Sequence, residues 1–202
     1  MSRYTGPRVR VMRALDSELP GLTRKSRDRR PQRPGQHGSR PRRRPSEYAM
    51  QLLEKQKLRY NYGLTERQLR RVYLEAHAAK GITGDTMLNL LERRLDNVAF
   101  RLGIAPTIPG ARQLINHRHL IVRGRRVDIP SIRVKVGDRI ELTERARAFE
   151  IVKVSLAQPR FALPSWLEWD SSNQVATVTA MPTPADVLLE VDTQLIVEFY
   201  AK

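Results

Sequence analysis

The sequence predicts an α+β fold in which a basic, mainly helical N-terminal part precedes a module of two helices and a small sheet. Three observations carry that expectation. Apolar residues recur at helical spacing from Ser46 to about residue 103, the period falls to two around LIVRGRRVDIP at 120–130, and glycine-bearing breaks at Gly63, Gly81 and Gly124 divide the segments. A chain of 202 residues with 40% apolar content has room for one or two small cores and none for a large multidomain enzyme.

Residues 27–45, RDRRPQRPGQHGSRPRRRP, hold eight arginines and four prolines against one acid, Asp28, and no bulky apolar side chain. Composition alone predicts disorder there, because nothing in the stretch offsets the entropy of ordering it. The next segment opens with Ser46, a capping residue, and predicts a helix to about Tyr60 with Ala49, Leu52 and Leu53 inward and Lys55, Lys57 and Arg59 near its end. A capping box, Thr65 to Gln68, starts a second helix whose apolar residues Leu69, Val72, Tyr73, Ala76 and Ala79 repeat before Gly81, leaving Arg67, Arg70 and Arg71 off the stripe.

TMLNLLERRLDNVAFRLG then places Leu91, Leu95, Val98 and Leu102 on one helical side and Arg94, Asn97 and Arg101 on another. IPGARQLINHRH predicts a short helix with Ala111, Leu114 and Ile115 inward and Arg112, Gln113 and Asn116 outward. LIVRGRRVDIP predicts a hairpin turning at Arg123-Gly124 and ending at Pro130, and VKVGDRIEL a turn at Gly137-Asp138 with a strand around Ile140 to Leu142. RARAFEIVKVSLA fits helix or strand on pattern alone and is assigned to helix. VATVT at 175–179 is strand-like, and Asp192 is placed to cap a closing helix in DTQLIVEFYAK.

Net charge is +16, the electrostatic footprint of a polyanion binder. Residues 1–50 hold 14 basic and 4 acidic side chains, 51–90 hold 7 and 4, 91–157 hold 14 and 7, and 158–202 hold 2 and 6, so the last quarter is expected to face protein or solvent. Without cysteine, disulfides and thiolate metal sites are excluded and a reducing compartment fits. No apolar run approaches the roughly 20 residues of a membrane span. MSRYTGPRVRVMRAL lacks the apolar core of a signal peptide; its arginines weakly suggest an organellar presequence, but basic character continues far beyond one, so it is read as mature protein.

LLERRLDNVAFRLG followed by ARQLINHRHLIVRGRRVDIPSIRVKVGDRIEL resembles the RNA-binding module named after the fourth small-subunit ribosomal protein. The resemblance continues upstream through SEYAMQLLEKQKLRYNYGLTERQLRRVY and downstream through LPSWLEWD and QLIVEFYAK, so nearly the whole chain is similar to that ribosomal family. It implies a cytoplasmic protein on the ribosome, or in the plastid stroma if organellar, that binds 16S rRNA, nucleates assembly of the subunit body and, with the fifth and twelfth small-subunit proteins, affects decoding accuracy. It also implies that the C-terminal segment returns to complete the N-terminal domain. The expected divisions are a basic extension at 1–45, a helical domain at 46–90, the RNA-binding module at 91–157 and the returning segment at 158–202.

Fixed arginines on a rigid helix pair and hairpin suit structured RNA, which is recognised by shape and by contacts to phosphates and 2′-hydroxyls. The module's candidates are Arg94, Arg112, Arg118, Arg123, Arg125 and Arg126, with Gln113 and Asn116 as neutral donors. Singly each reads as a solvated surface charge; clustered on one small module they read as an RNA-facing set. Upstream candidates are Lys55, Lys57, Arg59, Arg67 and Arg70 in the helical part, and Arg24, Lys25, Arg29, Arg30, Arg42, Arg43 and Arg44 in the extension.

Neither cofactor, metal, membrane nor small-molecule substrate is expected. His117 and His119 have no cysteine or acidic cluster beside them and are read as turn residues, with RNA contact by His119 as the weaker alternative. Arg94-Leu95-Asp96 matches the context of the catalytic aspartate in RNA pseudouridine synthases, but their T-S-G-L-like continuation is replaced by Asn97-Val98-Ala99-Phe100 and no catalytic domain remains; Asp96 is read as structural. No Walker loop, H-E-x-x-H or Ser/His/Asp signature occurs. The aromatic residues are few and Trp166 and Trp169 lie in the acidic quarter, which points to core packing. Many members of the family carry four cysteines for zinc in the early N-terminal segment; their absence here resembles the zinc-free variety of cyanobacteria and plastids. The resemblance implies that 27–45 is mobile in the free protein and ordered against rRNA.

Overall fold

A computed structural model describes residues 4–40 and 44–201. They divide into two compact units: one takes in the chain up to Met87 together with the residues from Leu188 onward, the other is Leu88–Val187. Among the described residues no helix is long and apolar enough to cross a membrane.

The first unit is helical. Helix α1, Arg8–Leu15, buries Val11, Met12 and Leu15; it lies in RVRVMRAL, where three arginines interrupt five apolar residues and no helix was expected. Helix α2, Glu47–Asn61, starts as expected at Ser46, whose hydroxyl accepts from the Ala49 N–H at 3.3 Å. Helix α3, Glu66–Ala78, carries the complete Thr65–Gln68 capping box and buries Leu69, Val72, Tyr73 and Ala76, whereas Ala79 is an exposed, extended cap. Helix α4, Thr83–Glu92, carries the chain across the boundary into the second unit.

The closing helix α9, Thr193–Ala201, packs on α2 and α3. Asp192 caps it, its carboxylate accepting from the Gln194 N–H at 2.9 Å. This docking decides which face of α2 is inward. Gln51, Lys55, Leu58 and Asn61 are buried, while Leu52 and Leu53 are only half-buried. Lys55, expected to face RNA, is 5% exposed. Its ammonium sits 3.0 Å from Glu66 and 4.4 Å from the Phe199 ring centroid, so the charge is consumed by packing α9.

Glu66 also accepts from the Tyr200 hydroxyl at 2.7 Å, and Tyr200 stacks on Tyr73 at 4.9 Å. Burial raises the Glu66 pKa, but the Tyr200 hydrogen bond and the Lys55 ammonium outweigh it and hold the carboxyl below its ordinary value of 4.5. A carboxylate whose folded pKa is depressed contributes stability that is present above its unfolded pKa and lost as pH falls through the folded value. Acid unfolding below about pH 4.5 is therefore expected to be partly Glu66-linked: Glu66→Gln should flatten the pH dependence of the urea midpoint in that range, and an unchanged slope would contradict the linkage.

The second unit opens with α5, Leu95–Arg101, and α6, Ile108–Asn116. The expected continuous helix through TMLNLLERRLDNVAFRLG is broken at Arg93-Arg94, where Arg94 is extended and bridges antiparallel to Arg133. Thr107 caps α6, accepting from the Gly110 N–H, and Ala111 and Ile115 are buried with Leu114 packed against the core.

Strands β1 (Leu120–Val122) and β2 (Arg125–Val127) form the expected hairpin, with Arg123 and Gly124 both at positive φ (52° and 73°) as a type I′ turn requires. Strand β3, Arg139–Leu142, follows the Gly137-Asp138 turn, and RARAFEIVKVSLA is helical as assigned, in two pieces, α7 (Glu144–Arg147) and α8 (Glu150–Ala157).

The sheet then exceeds the expected module. Strands β4, Leu167–Asp170, and β5, Val175–Val178, extend it to five antiparallel strands in the order β2-β1-β3-β5-β4. Residues 158–187 thus lie with the module, and the part placed with the helical unit begins at Leu188, not at 158. The physical reason is the second edge of β3: β5 pairs along it with Ile140 opposite Ala176, burying Val175, Ala176 and Val178. Trp166, 1% exposed, fills the core beside Leu95, Ile115, Leu120 and Ile140, and Trp169 packs against it.

Candidate nucleic-acid interface

A buried polar frame holds the second unit's basic surface. The first N–H groups of α5 have no partners within the helix; Leu95 and Asp96 instead donate to the carbonyls of Ile132 and Pro130, at 2.8 and 3.1 Å. Asp96, 1% exposed, accepts from Arg94 through Nε and Nη2 (3.2 and 3.0 Å), from Arg112 Nε on α6 (2.7 Å) and from the Asn97 N–H (2.9 Å). Asn97 Nδ2 donates to the Glu92 carboxylate at 2.8 Å, and Arg93 Nε to the Val134 carbonyl at 3.0 Å. The R-L-D-N run thereby locks α5, α6 and the strand-connecting 130–134 segment together.

The expected exposed stripe of Arg94, Asn97 and Arg101 is therefore internal: the three are 8%, 2% and 6% exposed. Arg94 serves Asp96 and has no face for RNA. Arg112 is half-buried against the same carboxylate. The remaining module candidates are outward. Gln113 and Asn116 are exposed on α6. Arg118, at φ 60°, is exposed and clasps Asp128 with two nitrogens at 3.0 and 2.8 Å. Arg123 clasps Asp138 with two bonds of 2.6 Å at the hairpin tip, and Arg125 and Arg126 stand exposed on β2.

Asp138 also accepts from the Lys135 N–H at 2.8 Å. Burial raises its pKa, but Arg123 and the Lys135 N–H outweigh burial and keep the carboxyl below its usual range, so it stays ionised and holds the tip arginine in place. The sequence reading missed five exposed cations in this unit, Lys135, Arg139, Arg145, Lys153 and Arg160. Arg139 had a signal: it alternates with the buried Ile140 and Leu142 on β3.

In the first unit Arg24, Lys25, Arg29, Arg30, Arg44, Arg67 and Arg70 are exposed. Arg42 and Arg43 lie outside the described residues. Lys57 is half-buried with Glu54 at 2.5 Å, and Arg59 lies over the Tyr60 ring at 4.5 Å. The described part of the arginine-proline stretch, 27–40, runs as a string of turns closed by Arg30 N–H to Arg27 carbonyl and Arg40 N–H to His37 carbonyl. It is fastened to the region of α1: Arg13 Nε donates to the Gln32 carbonyl at 2.8 Å, and Arg27 pairs with Asp16 and Glu18. Among the described residues no group of three or more His, Asp or Glu is gathered that would hold a metal.

Comparison with known proteins agrees with this geometry. Residues 3–92 match the model described as "Ribosomal protein S4/S9 N-terminal domain", and residues 93–140 match the "S4 domain". The chain is 53% identical over 202 residues to the small ribosomal subunit protein uS4 of Methylobacillus flagellatus, covering 100% of this chain and 98% of that protein. It is 53% identical to uS4c of Cyanophora paradoxa, covering all of both chains, and 51% identical to uS4 of Nostoc punctiforme, covering 100% of this chain and 99% of that one.

Proposed function

This chain belongs to the uS4 family of small-subunit ribosomal proteins, and from that premise we propose that it is a primary binder of 16S rRNA that nucleates folding of the subunit body. In the same reading it lies beside the fifth and twelfth small-subunit proteins and influences decoding accuracy. As a ribosomal protein with an RNA-binding S4 domain, it is not an enzyme.

One observation carries the rRNA reading: exposed cations are held on a rigid frame. The arginines at 118 and 123 are oriented by Asp128 and Asp138, the hairpin presents Arg125 and Arg126, and the frame beneath is locked by Asp96. Positions fixed in advance lose little entropy when they meet phosphates, and guanidinium forks match phosphate geometry. The pseudouridine synthase reading has no support in the site, because the Asp96 carboxylate is saturated by two arginines and buried beyond reach of a uridine.

The extension fits the same reading. Its arginines at 29, 30 and 44 are exposed, and turns rather than a core shape the stretch. With Arg42 and Arg43 they would meet phosphates and take their final order from rRNA. The test is retention on small subunits through a high-salt wash, with a compact rRNA footprint that shrinks when residues 27–45 are deleted. Release into the free pool without a footprint would overturn the reading.

A further inference from the structure

Besides its exposed cations, the second unit holds a cleft of about 350 Å³ between α6 and the α7–α8 region. Its volume falls in the range of small-ligand sites. The floor is apolar, from Ile104, Ala105, Leu114 and Phe149, and the walls carry Gln113, His117, His119 and Arg145. The sequence reading placed both histidines at a turn and kept RNA contact by His119 only as the weaker alternative.

We infer that this cleft is a receptor for one unstacked nucleobase of the bound RNA, with the base against His119 and Phe149 and its phosphate on Arg145. The inference rests on the rRNA reading above and adds to it a specific subsite.

The geometry is that of a base pocket. The His119 ring meets Phe149 edge-on, centroids 4.8 Å apart at 85°, and His117 lies 6.1 Å from His119. Because the rings stand nearly perpendicular to one another, a base is offered one ring face to stack on above the apolar floor, and single-stranded bases are captured by stacking on such side chains. Burial, then the Arg145 cation and His117, hold the His119 pKa below its usual value. At neutral pH its ring is therefore uncharged and presents one donor and one acceptor, the complement of a base edge.

Arg145 is the one permanently charged side chain lining the cleft and no carboxylate lines it, so a ligand with a negative group is favoured. The rim is continuous with the proposed RNA face: Gln113 lines the cleft, and Asn116 and Arg118 are exposed on the same helix and just beyond it. An apolar protein segment is the competing occupant, suggested by Ile151 and Val154, 58% and 49% exposed on α8. Four hydrogen-bonding side chains in the walls would leave such a segment's contacts unsatisfied, so the base is preferred.

Full-length wild type, Arg145→Ala and His119→Ala would be titrated against the small-subunit rRNA fragment, with base-edge reactivity read at every nucleotide. Both side chains lie outside the apolar core, and circular dichroism checks that each variant folds. Wild type should shield the edge of one unpaired base. Each variant should reopen that base and weaken binding roughly tenfold, leaving the rest of the footprint intact, and Arg145→Ala alone should lower the salt slope, by about 0.7 to 0.9 units. A wild-type footprint without a shielded unpaired base, or variants that keep shield and affinity, would overturn the base receptor while leaving the rRNA reading in place. Absence of any wild-type footprint would overturn the rRNA reading, and the receptor with it.

Discussion

Asp96→Ala is expected to cost roughly 3–5 kcal/mol of folding stability, the loss associated with removing one partner of a buried ion pair. The carboxylate is 1% exposed and takes three guanidinium bonds and one backbone N–H. Its removal strands Arg94, which is itself buried, and unties Arg112 on α6. The same change frees the backbone N–H of Asn97 at the start of α5. Asp96→Asn should fall between the variant and wild type, because the amide keeps an acceptor but loses the charge. Urea unfolding followed by circular dichroism measures the difference; a loss below about 1 kcal/mol would show that α5 and α6 do not depend on the clamp. An enzymatic role for Asp96 would give the opposite pattern, with stability intact.

The second large effect is on binding. Replacing Arg125 and Arg126 together with alanine should leave stability within about 0.5 kcal/mol, since both are exposed on β2. Affinity for the rRNA fragment should instead fall roughly 25- to 60-fold at 0.1 M salt. That range follows if each arginine neutralises one phosphate, because each contact contributes about 0.7 to 0.9 logarithmic units of affinity per decade of salt. The salt slope should drop by about 1.4 to 1.8 units in parallel. A loss below about threefold in a filter-binding or anisotropy titration would remove the hairpin from the interface.

Much of the framework was legible because its signals are local. The Thr65–Gln68 box, the Ser46 and Asp192 caps and the Arg123-Gly124 turn each lie within four residues of the structure they determine, and each appears where the pattern placed it. The break at Arg93-Arg94 was not legible, since Leu91, Leu95, Val98 and Leu102 keep helical spacing straight through it. What breaks the helix is distant in sequence: Arg133 bridges Arg94, and Ile132 takes the Leu95 N–H. Helix α1 was hidden because Arg8, Arg10 and Arg13 interrupt its apolar residues, and β4, Leu-Glu-Trp-Asp, alternates apolar and polar residues over four positions only, the shortest run that argues a strand.

The site shows the same division. Exposure of the hairpin arginines goes with the adjoining Arg123-Gly124 turn and the place of β2 at the sheet edge, whereas burial of Lys55 follows from Glu66 on α3 and Phe199 on α9, which no local window joins. A lysine is expected at the surface unless paired; its carboxylate, Glu66, is on the next helix, and the ring that covers it, Phe199, lies at the far end of the chain. Arg94 is a similar case: an arginine in a basic protein reads as a phosphate contact until its buried carboxylate is seen two residues away with a second arginine already on it.

The most direct test of charge-driven rRNA binding is the dependence of affinity on salt, measured with the full-length chain and its small-subunit rRNA fragment between about 0.05 and 0.5 M monovalent salt. With roughly 0.7 to 0.9 units for each phosphate neutralised, the number of exposed arginines in the chain predicts a slope of several units. A nearly flat dependence would contradict the electrostatic basis of the interface.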